Sequence, residues 1–175
     1  MRSAFFKFVC AAIALLAVSS TPGQAVPLHE AYDPNNPFAR MIRGELSPVK
    51  VYEDEQVLAF MDRAPVHPGH VLVISKVSRA RNLLEEDAED LARLMAVVRR
   101  IGQAQIDGLC VQGFTVVQNN GNGQTVPHLH FHVIPRKTVA PLMPSFDIRA
   151  NPKDLEAMAA KIRAALSQAP PSGSK

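Results

Sequence analysis

Apolar and polar positions along this chain follow three different rhythms, and each predicts a different element. In "FARMIRGE" (38–45), Phe38, Met41 and Ile42 recur at helical spacing and Gly44 offers an end, so a short helix is expected. "VKVYED" (49–54) and "QVLAFMD" (56–62) read as two strands joined by an acidic turn, followed by a loop over 63–69. "HVLVISK" (70–76) is largely apolar, as a strand covered on both faces must be. From Asn82 to the neighbourhood of Ile106 the period lengthens. Leu84, Ala88, Leu91, Met95, Val98 and Ile101 recur as on one helix face, Asn82 and Glu85 are spaced as a capping box, and Asp107-Gly108 is the expected stop. "GFTVVQ" (113–118) and "HLHFHVI" (128–134) are the last two strands, separated by the polar loop "NNGNGQTV" (119–126). A short amphipathic helix is expected over Asp154–Leu166. Early hairpin-like strands, one long central helix and a late strand pair predict an α+β fold: an antiparallel sheet with short flanking helices.

These rhythms divide the chain into an irregular lead-in (26–37, three prolines and two asparagines), a domain over 38–136, a C-terminal extension with a short helix (137–166) and a disordered tail (167–175). The first 25 residues read as an export signal. Arg2 and Lys7 precede the 11-residue apolar run "FVCAAIALLAV" (8–18), and "SSTPGQA" supplies small residues at Gly23 and Ala25. That run is too short for a permanent membrane span, so the expected location is outside the cytoplasm, in the periplasm. Charge excludes a class of partner. Removing Arg2 and Lys7 from the 19 basic residues leaves 17 against 16 acidic ones, which is no footprint for nucleic acid. Cleavage after Ala25 would leave Cys110 as the sole cysteine, expected to be a plain packing residue. With 47% apolar residues the domain has the means to build a core without a disulfide.

Half of the six histidines fall within "PHLHFHVIPR" (127–136). On a strand, His128, His130 and His132 project to one side and Leu129, Phe131 and Val133 to the other, with Pro127 and Pro135 expected at the strand ends. Alternate residues stand about 6–7 Å apart at their Cα atoms, close enough for imidazoles to converge on one ligand. The row alone fits a solvated polar face, a zinc site completed by His67 or His70, or a nucleophile with supporting imidazoles. The preceding loop favours the last. "NNGNGQTVP" supplies glycines that admit a close ligand and the hydrogen-bonding side chains of Asn119, Gln124 and Thr125, which suits a phosphate better than a metal.

"GQTVPHLHFHVIPR" (123–136) resembles the histidine triad family, whose signature His-φ-His-φ-His-φ-φ (φ apolar) is matched in full at 128–134. The stretch "NPFARMIRGELSPVKVYEDEQVLAFMDRAPVHPGHVLVISK" (36–76) is similar to that family's N-terminal half in order and spacing. The resemblance implies a homodimeric hydrolase or transferase acting at the α-phosphate of nucleoside 5′-phosphate derivatives, such as phosphoramidates or dinucleoside polyphosphates, and requiring no cofactor. It implies that His130 is the nucleophile, that His128 holds its tautomer, and that His132 donates to a phosphate oxygen. By the same carry-over Thr125 and Gln124 lie beside the leaving group, Asn119 near the phosphate, and His70 close to the triad. Asp62 would bind the ribose hydroxyls, and Phe38, Met41 and Phe60 would line the base pocket. Many members hold a structural zinc with a Cys-x-x-Cys segment; here that region reads "NNPFARM", so no metal is expected. The rival reading is a nucleotide- or zinc-binding module without turnover.

Overall fold

The computed structural model describes residues 26–138 and 150–168. A short helix α1 (Pro37–Ile42) leads to strands β1 (Lys50–Glu53), β2 (Val57–Met61) and β3 (Val71–Ser75). A long helix α2 (Ala88–Leu109), a hairpin of β4 (Gly113–Gln118) and β5 (His130–Arg136), and helix α3 (Pro152–Gln168) follow. The five strands form one antiparallel sheet in the order β1-β2-β3-β5-β4, which is the α+β arrangement expected.

Strand alternation sorts the side chains between the two faces of the sheet. Val57, Ala59, Met61, Val71, Val73, Phe131 and Val133 form one core with Leu94, Val98 and Ile101 of α2 and Leu155, Ala159 and Ile162 of α3. Their neighbours in sequence, Leu58, Phe60, Leu72 and Ile74, turn to the opposite face, where Phe38 of α1 covers them. A helix of six residues has little stability of its own. Burial of Phe38, about 2–3 kcal/mol for a large side chain, and the side chain of Asn36 capping the N–H groups of Phe38 and Ala39 hold it down. His130 and His132 share the α1 side because Phe131 and Val133 are committed to the other.

Several boundaries differ from expectation. The Asn82–Glu85 pair does meet, without the reciprocal bonds of a capping box: Asn82 Nδ2 donates to Glu85 Oε1 at 2.9 Å, the N–H of Leu84 donates to Asn82 Oδ1 at 3.0 Å, and Glu85 Oε2 accepts from the N–H of Arg81. It closes a separate turn, however, because the Asn82 amide also binds the lead-in carbonyl of Leu28. The helix starts later, with Asp87 accepting the N–H of Glu89. Its buried face is therefore Leu94, Val97, Val98, Ile101, Ala104 and Gln105, while Leu84 and Met95 are exposed. Gly108 does not end the helix either. A Cβ there would stand 2.5 Å from the carbonyl oxygen of Lys161, so glycine lets α2 and α3 approach. The turn out of α2 falls on Cys110, left-handed at φ 53° and exposed, rather than the packing residue expected.

Strand β5 starts at His130 and runs through Pro135, which pairs with Phe114. The proline fits inside the strand because the register between β3 and β5 ends at Val71↔Val133, so no neighbour on that side needs its missing N–H. Helix α3 begins at Pro152 and reaches Gln168, taking in the first two residues of the expected tail; residues 169–175 and 1–25 lie outside the described residues. Among those described, no helix is long and apolar enough to cross a membrane.

Candidate functional site

The central histidine is held by a backbone contact that fixes its chemistry. His130 Nδ1 lies 2.7 Å from the carbonyl oxygen of His128. A carbonyl only accepts, so Nδ1 carries the proton and Nε2 carries the lone pair. That Nε2 has no hydrogen-bond partner among the described residues. His128 is fixed in the same way: its Nε2 donates to the carbonyl of Ser75 at 3.1 Å, leaving Nδ1 to accept from the hydroxyl of Tyr32 at 2.7 Å. Phe38 stands edge-on to both rings, with centroids 5.2 Å from His130 and 6.0 Å from His128. This apolar enclosure has an electrostatic consequence. Burial pushes both imidazoles down to about 4, so both are neutral near pH 7.

A second pair stands beside them. His70, at the foot of β3, places Nε2 3.0 Å from Nδ1 of His132, whose ring is 4.9 Å from that of His130. Burial again lowers both, to about 4. His70 Nδ1 is 3.3 Å from both the N–H of Val66 and a carboxylate oxygen of Asp62. The first contact asks for a lone pair and the second for a proton, so the relay Asp62–His70–His132 has two tautomeric states. At its far end Nε2 of His132 is buried with no partner. Asp62, His70 and His132 have donor atoms within 4.8 Å of one another, which raises the question of a metal. The fit is poor: Asp62 and His132 address opposite nitrogens of the His70 ring, which makes a hydrogen-bonded chain rather than a cage. Asn36, in the cysteine-free segment "NNPFARM", spends its side chain capping α1.

The structure thus brings together His70, His128, His130, His132 and Asp62. Other expected site residues sit differently. Phe60 is 2% exposed and meets Phe38 edge-to-face at 5.5 Å, and Met41 packs on the same cluster; they floor the site instead of lining an open pocket. Gln124 is buried, its amide donating to the carbonyls of Arg81 and His128, and so braces the row from behind. Thr125 is exposed on the turn before β5, and Asn119 lies against Gly123; no described hydrogen bond or ring contact joins either to the histidines. Two supporting residues escaped the sequence reading. Gln105, fully buried, donates to the carbonyls of Gly69 and Val133, fastening α2 beneath the His70 and His132 strands. Its signal was a polar residue on an apolar helix face. Tyr32 lay in a segment with no periodicity to read.

With this geometry in place, comparison with known proteins is informative. A profile described as HIT domain matches residues 43–139. Among solved structures, a Hit-like protein from Bartonella henselae superposes with a TM-score of 0.73 at 47% identity, covering 78% of this chain and 99% of that one. A Zn-bound histidine triad family protein from Mycobacterium smegmatis gives 0.66 at 35% identity, covering 75% and 92%. The adenosine 5′-monophosphoramidase hnt1 of Schizosaccharomyces pombe is 32% identical over 131 residues, 71% of this chain and 93% of that protein. One expectation is corrected here. Residues 1–25 lie outside the span matched by the HIT domain, so the shared domain lends the signal-peptide and periplasm assignments no support and they are withdrawn. The triad geometry, the fold and the matched span agree, and the chain belongs to the HIT domain family.

Proposed function

We propose that the protein is a nucleotide hydrolase that cleaves at the α-phosphate of nucleoside 5′-phosphate derivatives through a covalent intermediate on His130. The observation that carries this reading is the pairing of a free lone pair at His130 Nε2 with the unpartnered, buried Nε2 of His132 beside it. The first is a nucleophile and the second a group awaiting a ligand. In the forward step His130 Nε2 attacks phosphorus, the bond from phosphorus to the leaving group breaks, and the leaving group departs with a proton taken from solvent, which the attacking water returns in the second step. Water then attacks the nucleotidyl-imidazole, releasing the mononucleotide and restoring His130. The His128 carbonyl, holding Nδ1–H, stabilises the positive charge that builds on the ring. An anionic phosphate also selects between the two states of the relay: it needs a donor, which favours the tautomer in which Val66 N–H binds His70 Nδ1, His70 Nε2–H binds His132, and His132 Nε2–H faces the phosphate. No step requires a metal. The name of the Schizosaccharomyces pombe relative supports a phosphoramidate as the substrate class.

The test is to mix the full chain with an adenosine phosphoramidate, quench in the pre-steady state and measure intact mass. An adenylyl adduct mapped to the peptide holding His130 is the expected result. Turnover with no adduct at any time would remove the covalent route, and no mononucleotide release would remove the enzyme reading.

We further propose that the protein works as a homodimer joined along β4. Among the described residues that strand is an edge, paired only with β5, and Phe114 and Val116 leave apolar surface exposed on it, as does Met95 on α2. Sedimentation equilibrium should give twice the chain mass for the native protein and a monomer for Val116→Lys; a monomeric native protein refutes the dimer.

A further inference from the structure

We infer that the lead-in ahead of the matched domain is part of the catalytic apparatus, with Tyr32 a positioning residue that acts on His130 through His128. This inference rests on the reading of His130 as nucleophile. The lead-in is fastened on both sides of Tyr32. On one side the guanidinium of Arg81, 3% exposed, donates to the carbonyls of Pro27, Leu28 and Glu30, and Asn82 adds a second bond to Leu28. A buried guanidinium that spends three contacts on one segment pins it, since releasing the segment would leave the charge uncompensated. Leu28 also lies against Gly121, where a Cβ would meet it at 3.3 Å. On the other side, Asn36 is buried at the start of α1 and its amide donates to the carbonyl of Asp33.

Between these anchors the Tyr32 hydroxyl reaches His128 Nδ1 at 2.7 Å. What this hydrogen bond controls follows from where the sheet begins. Strand β5 starts at His130, so no ladder holds residue 128. Its carbonyl is nevertheless the acceptor for His130 Nδ1–H, the contact that keeps the lone pair on Nε2. The peptide that carries that carbonyl is held by the N–H of Leu129 on the carbonyl of Ala80 at 2.8 Å and by the Gln124 amide at 3.4 Å, and the imidazole of the same residue, clamped between the carbonyl of Ser75 and the hydroxyl of Tyr32 and covered by Phe38, adds the side-chain hold. Tyr32 does not contact His130 itself. It fixes the residue that does.

Tyr32→Phe removes the oxygen and keeps the ring, so packing is preserved. Arg81→Lys keeps the charge and loses the fork, loosening the anchor. In the full chain, the His128 and His130 ring signals would be followed by nitrogen-15 NMR, and turnover of an adenosine phosphoramidate by mononucleotide release. The native protein should show His128 as the Nε2–H tautomer with a hydrogen-bonded Nδ1. In Tyr32→Phe the Nδ1 signal of His128 should move to the value of a free lone pair, the His130 Nδ1–H proton should exchange several-fold faster, and kcat should fall about 10-fold with KM unchanged. Arg81→Lys should do the same, and the double variant should be no worse than either alone. Unmoved His128 and His130 signals in Tyr32→Phe would overturn the inference whatever the activity. So would moved signals with kcat within about twofold of native, or a rise in KM alone, which would mark a direct substrate contact. A native protein without turnover, whose His130 signal still responds to Tyr32→Phe, would refute the hydrolase reading and leave the positioning role standing.

Discussion

His130→Ala should release mononucleotide from an adenosine phosphoramidate about 10⁴-fold or more slower than the native protein, with little change in nucleotide affinity. The size follows from what is lost. Removing the nucleophile closes the two-step route altogether, and direct attack by water on phosphorus must replace it; single removals of a covalent nucleophile elsewhere cost about 10⁴–10⁶ in kcat. His132→Ala should be milder, about 10²–10³, the usual cost of one donor to a developing oxyanion. The order of the two losses matters as much as their size. If His132 carried the covalent chemistry the order would invert, and if the pair merely bound nucleotide both variants would change KM and leave kcat alone. Steady-state kinetics with both variants decide among these outcomes, and equal rates for native and His130→Ala would dismiss the nucleophile. The fold should survive: the imidazole of His130 lies on the α1 side of the sheet and contributes nothing to the core between the sheet and the two long helices.

Acidification should unfold the protein through the same four rings. His70, His128, His130 and His132 all lie at about 4 in the folded state, lowered chiefly by burial from an ordinary value of 6.5. The unfolded chain therefore takes up protons first. Stability is fully present above about pH 6.5 and is lost as the pH falls toward 4. A single imidazole displaced by this much corresponds to about 3 kcal/mol, and because the four rings touch one another their contributions do not simply add. A fall in Tm of about 10 °C between pH 7 and pH 4.5 is the expected minimum. The carboxylates held low in the folded state, Glu45, Glu53 and Asp54, act in a lower window. Glu53 is held low by hydrogen bonds from Lys50 and Lys76, so its loss begins only in the ordinary carboxylate range below. Calorimetry across that range is the check, and a Tm independent of pH down to 4.5 would mean the histidines are not buried neutral in solution.

The strands were legible from their periods, because alternation and wholly apolar runs report directly on how many faces of a strand are covered. "HVLVISK" gave β3, and the alternation Leu129, Phe131, Val133 against His130 and His132 placed the triad on one face before any fold was drawn. The long helix was legible in type and misplaced in register. Leu84 and Met95 fit the spacing, yet both are exposed, because the turn at Asn82–Glu85 consumes the first residues of the apparent helix. A box of two side chains looks the same in sequence whether it starts a helix or closes a turn. What decides is the lead-in carbonyl of Leu28, fifty-four positions away, competing for the same amide.

By itself the sequence determined the α+β class and the row of three imidazoles, since both depend on local spacing, and the resemblance of that row to the histidine triad signature implied the family. Only the tertiary structure decided what each site residue does. It turned Phe60 into floor and Gln124 into a brace, drew Asp62 to His70, and set the hydroxyl of Tyr32 against His128. Those roles rest on hydrogen bonds between residues up to ninety-six positions apart. No period records such a contact, because it is written in where the backbone goes and not in the residue's own neighbourhood.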